Sequence, residues 1–247
     1  MRLIASGNTD IGQKRKSNQD SFHIDMDSKF FVVADGMGGH NGGDVASQMA
    51  TELLPQYINK NITMDPINLL KMSLKETNKN IKQYGENNPE LIGMGTTVVS
   101  LFFKDQNLYL ANVGDSRAYL INQKKIYQLT RDHSLVQEKL NHGLYTREKA
   151  ALDPQKNMLV RTVGFEDKIE VDVFVYKICP NDIFLTCSDG LHGKVSDEDI
   201  LFLINKFIPN PEKADQKMAD KLISALIELG NENGGQDNIT AITVIVQ

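Results

Sequence analysis

The sequence predicts an α+β fold in which two mainly antiparallel sheets pack together with helices on their outer faces. Two observations carry this. Strand-like runs at residues 108–113, 117–121 and 125–129 are joined by short turns, which imply antiparallel neighbours. The helix-patterned segments come in pairs between such runs, without strict β-α-β-α alternation, and this disfavours a doubly wound parallel sheet.

The elements follow in order. Residues 20–35 read as two strands joined by a turn at residues 25–29. Over 42–58, Val45, Ala46, Met49, Ala50, Leu53 and Leu54 share one helical face. Pro66 sits where a helix can begin, and Ile67, Leu70, Leu74 and Ile81 keep helical spacing to about Tyr84. Residues 96–103 are β-branched and aromatic, hence strand. Residues 134–160 are polar, with short helical pieces at 135–140 and 146–151, and lack a strong apolar stripe. They predict a mobile excursion from the core. Ile169, Val171, Val173 and Val175 alternate with Glu170, Asp172, Phe174 and Tyr176, which predicts a strand with one buried face. Residues 183–187 are a further strand, and Ser196 before Asp197-Glu198-Asp199 caps a helix. Residues 211–229 read as a longer amphipathic helix, and 238–246 as the closing strand.

Composition narrows the class. A chain of 247 residues, 40% hydrophobic and 24% charged, is ordinary globular material able to bury a substantial core. No linker, charge block or repeat divides it, so residues 1–247 are expected to form a single domain. The net charge of −5 does not suggest a nucleic-acid partner. The N-terminal residues are too poor in apolar side chains for a signal peptide, and no stretch approaches the ~20 apolar residues of a membrane span. A cytoplasmic protein without membrane association is expected. Cys179 and Cys187 both fall in apolar or strand-like surroundings and read as two buried thiols rather than a disulfide framework.

The chemistry resides in four aspartates at short glycine-marked turns: Asp35 in Val33-Ala34-Asp35-Gly36-Met37-Gly38-Gly39, Asp115 in Gly114-Asp115-Ser116-Arg117, Asp189 in Cys187-Ser188-Asp189-Gly190, and Asp237 in Gly234-Gly235-Gln236-Asp237-Asn238. Apolar strand-like runs precede the first three. A strand ending in Asp-Gly places a carboxylate on a corner where the backbone can approach a ligand closely. Several such corners brought together make an all-oxygen site, the donor set that Mg²⁺ and Mn²⁺ prefer. Each aspartate alone has a plainer reading. An Asp-Gly is commonly just a turn, Asp189 can cap the segment after it, and Asp237-Asn238 can form an Asx turn. Arg15, between Lys14 and Lys16, can belong to a solvated basic loop or grip a phosphate bidentately. Asp20 and Gln19 are placed to hold water around a metal. A Cys-x5-Arg loop, a G-x-S-x-G elbow and a Walker loop are all missing. Asp25-Met26-Asp27 reads as a hairpin turn. The set points to a metal-dependent hydrolase and says little about its substrate.

Taken in order, Arg15-Lys16-Ser17-Asn18-Gln19-Asp20, Asp35-Gly36-Met37-Gly38-Gly39-His40, Gly95-Thr96-Thr97, Gly114-Asp115-Ser116-Arg117, Asp132-His133-Ser134, Ser188-Asp189-Gly190-Leu191 and Gly234-Gly235-Gln236-Asp237-Asn238-Ile239-Thr240 resemble the PPM family. These are the type-2C metal-dependent protein serine/threonine phosphatases, here of the compact bacterial branch. The resemblance covers essentially the whole chain. It implies a four-layer α-β-β-α sandwich, with a flap at about 134–160 beside the cleft. It implies hydrolysis of phosphoserine and phosphothreonine on proteins by direct attack of a water bridging two Mn²⁺ or Mg²⁺ ions. Asp35 matches the bridging ligand, and the Gly36 carbonyl a ligand of the first ion. Asp189 and Asp237 match ligands of the second, and Asp20 a residue holding metal-bound water. Asp115 with Asp189 matches the ligands of the third ion that bacterial members often carry. Arg15 matches the phosphate-binding arginine. Met37 stands where animal-type members have a histidine proposed to protonate the leaving alcohol, so His40 becomes the candidate acid. Gln19 replaces an animal-type glutamate. His133 is expected to play a structural part beside the flap. The expected partners are phosphoproteins and a serine/threonine kinase that the enzyme opposes; a monomer is expected.

Overall fold

The two-residue rhythm of the strands decides the architecture. In a computed structural model, which describes residues 2–38 and 42–247, alternate strand residues face opposite ways and the inner strands are buried on both faces. The elements are β1 (Leu3–Asp10), β2 (Asp20–Asp25), β3 (Phe30–Met37), α1 (Gly43–Lys60), α2 (Pro66–Asn87), β4 (Gly95–Thr96), β5 (Val98–Lys104), β6 (Asn107–Val113), β7 (Arg117–Asn122), β8 (Lys125–Gln128), α3 (Leu135–Asn141), α4 (Arg147–Leu152), β9 (Asp172–Lys177), β10 (Ile183–Cys187), α5 (Asp189–His192), α6 (Asp197–Phe207), α7 (Gln216–Glu232) and β11 (Ile239–Val246). One sheet runs β1-β11-β10-β7-β8, the other β2-β3-β5-β6-β9 with β4 on β3, and the pairings are antiparallel.

Three apolar layers result. Phe31, Val33, Leu101, Phe103 and Leu110 of one sheet meet Leu3, Leu120, Phe184, Ile242 and Val244 of the other. Phe103 and Phe184 touch edge to face, with centroids 5.5 Å apart. The intervening residues Phe30, Val32, Ala34 and Val98 face outward onto Ala46, Ala50 and Leu54 of α1 and Leu70 and Leu74 of α2. On the far side Leu185, Ile239, Ala241 and Ile245 receive Leu222, Ile223 and Leu226 of α7 and Ile200 and Ile204 of α6. The expected four-layer α-β-β-α sandwich is the observed one. Among the described residues, no helix is long and apolar enough to cross a membrane.

Several expectations need correction. Strands β6 and β7 are not neighbours: the turn Gly114-Asp115-Ser116 carries the chain from one sheet to the other. The same is true of the 11–19 loop between β1 and β2, and of the long flap connection between β8 and β9. Strand β1, unread in the sequence, pairs along its whole length with β11. Helix α7 begins at Gln216, not at Pro211, because Asp215 accepts the Met218 N–H as its cap; residues Pro211–Lys213 form a separate 3₁₀ turn. Strand β9 is a sheet edge starting at Asp172, and Phe174 and Val175 are both exposed, so its alternation does not describe a fully buried face. Cys187 is buried, but Cys179 is exposed in the β9–β10 connection.

The flap is hydrogen-bonded at its root. Leu135 N–H donates to Met158 O, Val160 N–H donates to His133 O, and Ser134 bridges to Leu159, closing the segment at its root. Inside it, Lys139 Nζ lies 3.1 Å from Asp153 Oδ2, and Lys139 and Lys149 both sit over the Tyr145 ring.

Because Phe184 joins the two sheets with no exposed surface, Phe184→Ala should cost about 3–5 kcal/mol. Phe202→Ala on the solvent face of α6, 65% exposed, should change stability by about 0.5 kcal/mol or less. Urea unfolding followed by circular dichroism measures both, and equal effects would contradict the layer assignment.

Candidate metal centre

The crossings between the sheets and the C-terminal loop before β11 bring the predicted residues to one end of the sandwich. Asp20 opens β2 and is paired with Asp35 across the ladder. The Asp35 N–H donates to Thr97 Oγ1 (3.0 Å), and its carbonyl accepts from Thr97 N–H (2.8 Å) and Thr96 Oγ1 (2.9 Å). Thr97 Oγ1 in turn lies 2.7 Å from Ser116 Oγ, linking Asp35 to the turn that carries Asp115. Gly36 is needed for close approach: a Cβ there would sit 1.9 Å from the Gly43 carbonyl oxygen at the start of α1.

Asp189 leaves the end of β10 through Ser188. The Ser188 hydroxyl donates to Asp20 Oδ2 (2.7 Å) and accepts the Thr240 N–H (3.1 Å). A Cβ on Gly190 would meet Asn238 O at 1.9 Å, so the Asp189 corner rests directly on the Asp237-Asn238 backbone. Asn238 is a hub. Its Oδ1 accepts Gln19 N–H (2.8 Å), and its Nδ2 donates to Ile11 O (2.9 Å) and Ser17 O (3.0 Å). The loop bearing Arg15 is thereby stitched to Asp237, and Arg15 Nη2 lies 2.6 Å from Asp237 Oδ2.

Arg15, Asp20, Asp35, Gly36, Asp115, Asp189 and Asp237 therefore gather at one place. His40, the candidate acid, lies outside the described residues. Sequence reasoning missed the roles of Thr97, Ser188 and Asn238; each is next to or inside a motif, and that adjacency was the only available signal. A cleft of about 390 Å³ opens beside the cluster. Its walls include Asp115, Asp189 and Asp237, the flap residues Ser134, Gln137 and Lys156, and Lys194.

The electrostatics ask for a cation. Burial raises the Asp35 carboxyl well above the usual range, and Asp20, Asp189, Asp115 and Asp237 push it further. Burial and then Asp189 raise Asp115 to about 8. Asp189 rises to about 6 through burial and the charge of Asp237. Asp20 rises to about 6 by burial, against the hydrogen bonds of Ser188 and Thr240. Carboxylates crowded out of water disfavour one another's charge, and a divalent ion offsets that cost. Among the described residues, no three His, Cys, Asp or Glu side chains make a ready single-ion cage. The donor set fits Mn²⁺ or Mg²⁺: Asp35, Asp189 and Asp237 with the Gly36 carbonyl would hold the ions, with Asp20 and Asp115 beside them.

Comparison with known proteins agrees with this chemistry. The family model described as Protein phosphatase 2C matches residues 8–139. The chain is 39% identical to the serine/threonine phosphatase stp of Listeria monocytogenes over 249 residues, spanning 98% of this chain and 95% of that protein. The Mycobacterium tuberculosis serine/threonine phosphatase PstP/Ppp superposes with a TM-score of 0.89 at 32% identity, covering 99% of both chains. The PstP catalytic domain in complex with two manganese ions superposes at 0.85 with 31% identity, covering 99% of this chain and 98% of that one. The chain belongs to the protein phosphatase 2C family, whose members are metal-dependent serine/threonine protein phosphatases.

Ser188→Ala leaves the buried Asp20 carboxylate and the Thr240 N–H short of a partner. The expected costs are about 1–3 kcal/mol of stability and about tenfold weaker Mn²⁺ binding. Thermal unfolding and calorimetric titration measure the two, and an unchanged Mn²⁺ isotherm would remove Ser188 from the site.

Proposed function

We propose that this phosphatase 2C family member, read as one catalytic domain, hydrolyses phosphoserine and phosphothreonine on proteins and so opposes a serine/threonine kinase. The observation that carries the reading is the convergence of Asp20, Asp35, Asp115, Asp189 and Asp237, with Arg15 at their edge. When bound, Mn²⁺ or Mg²⁺ supplies Lewis-acid charge and activates water for direct attack on phosphorus.

The chain's own residues do the rest. Asp35 and Asp189, whose charges act on each other, hold the reacting region from two sheets at once. Asp20 is fixed by Ser188 and orients water at the back of the site. Arg15 spends one contact on Asp237 and keeps the remaining donors of its fork for the phosphoryl oxygens. Its guanidinium grips those oxygens in substrate and transition state alike, so its share is mainly substrate binding. In this reading the attacking oxygen is that of water. Its bond to phosphorus forms as the bond to the serine or threonine oxygen breaks, the alcohol leaves with a proton from water, and no covalent enzyme intermediate forms. Cys187 is fully buried, with burial pushing its thiol up to about 12, and it takes no part. The flap wall of the cleft meets the protein substrate around the phosphorylated residue.

Release of phosphate from a phosphothreonine peptide, with Mn²⁺ and then with excess chelator, tests the reading. Activity should vanish with chelator and return with added metal, and thiol alkylation should leave it unchanged. Absence of release with any divalent metal would overturn the assignment. Asp35→Asn and Asp237→Asn should each lower kcat by about 10²-fold or more. Near-normal turnover at saturating Mn²⁺ would remove these residues from the site. Arg15→Ala should act mainly on KM, the signature of lost substrate binding.

A further inference from the structure

The turn that carries Asp115 is held by an unusual two-point grip. Gly114, at φ +110°, sits in a backbone region that only glycine enters freely. A residue so unconstrained needs outside contacts to hold one conformation. The His133 backbone N–H donates to Gly114 O (2.9 Å), and the His133 ring Nδ1 accepts the Gly114 N–H (3.1 Å). One residue therefore satisfies both peptide groups of Gly114. Asn112 Nδ2 adds a third contact to Gly114 O (3.3 Å).

The grip extends past Asp115 on its other side. Asp132, the neighbour of His133, receives Arg117 Nε (3.0 Å) and Nη2 (2.7 Å) in a forked pair. The dipeptide Asp132-His133 thus holds residues 114 and 117 together and leaves Asp115 between them. Beyond the ring, Nε2 lies 3.3 Å from Asp172 Oδ2 on β9, outside good hydrogen-bond geometry but close enough to favour the proton on that nitrogen. Nδ1 is then left as the acceptor that Gly114 needs. Arg161, just after the flap, pairs with the other oxygen of Asp172 (3.1 Å). His133 O receives Val160 N–H at the flap root (2.9 Å). The ring is almost wholly enclosed, at 6% exposure, and does not line the cleft.

We propose that His133 is a positioning residue: through Gly114 it sets the direction of the Asp115 carboxylate, and it joins that carboxylate to the root of the flap as one hydrogen-bonded unit. The role rests on the phosphatase reading, because it matters to turnover only if Asp115 serves the reacting site. Its chemical requirement is narrow. The side chain must present an acceptor at the distance of Nδ1, close to its own backbone.

A pair of variants isolates that requirement. His133→Asn keeps an acceptor where Nδ1 lies, whereas His133→Gln moves it one carbon outward, toward the position of Nε2. Both are polar and no larger than histidine. Three readouts apply to wild type and both variants: exchange of the Gly114 amide in metal-free protein by NMR, calorimetric titration with Mn²⁺, and phosphopeptide kinetics. His133→Asn should keep Gly114 protection and the wild-type isotherm. His133→Gln should lose that protection, weaken Mn²⁺ binding about tenfold, and lower kcat while KM stays within about twofold. A His133→Gln protein with the wild-type isotherm and Gly114 protection would overturn the proposal. So would equal impairment of both variants, since that marks lost ring packing alone. If wild type binds Mn²⁺ but releases no phosphate, the functional reading fails, and the exchange and titration data still decide the part played by His133.

Discussion

Carboxylates crowded together away from water repel one another, and the end of this sandwich is built to hold them together regardless. Asp35, Asp20, Asp189 and Asp115 are each driven toward the neutral form by burial, and neighbouring aspartates add to that drive at all four. Separate flexible loops would relax by moving apart. Here the backbones are pressed together at Gly36 against Gly43 and at Gly190 against Asn238, where even a methyl group would collide. The repulsion is therefore retained in the folded chain, and cation binding is the response that relieves it.

The sandwich supplies the strength for this. Away from the edge strands β8 and β9 both sheets are covered on both faces, which anchors β3, β6, β10 and β11 where they end at the site. The site forms where the chain leaves one sheet for the other, at the 11–19 loop and the 114–116 turn, beside the corners at 35–36 and 188–190. A crossing must break the hydrogen-bonded ladder, which frees backbone groups and side chains to face a ligand. The broken ladder is repaired by side chains: Thr97 serves Asp35, Ser188 serves Thr240, and Asn238 serves the three backbone groups of Ile11, Ser17 and Gln19.

What the sequence disclosed follows from how local each signal is. The corners at Asp35, Asp115 and Asp189 were legible because an apolar run, an aspartate and a glycine lie together, and Asp237 because two glycines stand just before it. Helices α1 and α2 were legible because their apolar spacing persists for several turns, and Pro66 marks a start. Strand β1 was not, because its Ser6-Gly7-Asn8-Thr9 half is polar and its partner β11 lies at the other end of the chain. The start of α7 was misplaced because Pro211 imitates a helix start that belongs to a 3₁₀ turn, while the real cap is Asp215. The β6–β7 connection is short enough for a hairpin, and only the inter-sheet packing shows that its strands diverge. Ser188 and Asn238 carry no chemistry of their own, so nothing short of the fold reveals what they hold.

Arg15 brings these strands of reasoning together. In the sequence it is one basic residue among Lys14 and Lys16, and 222 positions separate it from Asp237. The fold places its guanidinium 2.6 Å from that carboxylate, half exposed, with the charges of Asp35 and Asp189 also raising its affinity for the proton. Its loop is held on either side by the Asn238 contacts to Ile11 O and Ser17 O. A surface ion pair of this exposure adds little to stability. Its value lies in geometry instead: a permanent positive charge stands at the edge of a strongly negative cluster. An incoming phosphoryl group would otherwise meet repulsion from every aspartate in the cleft. In the function proposed above, that guanidinium would offset the repulsion an arriving dianion meets.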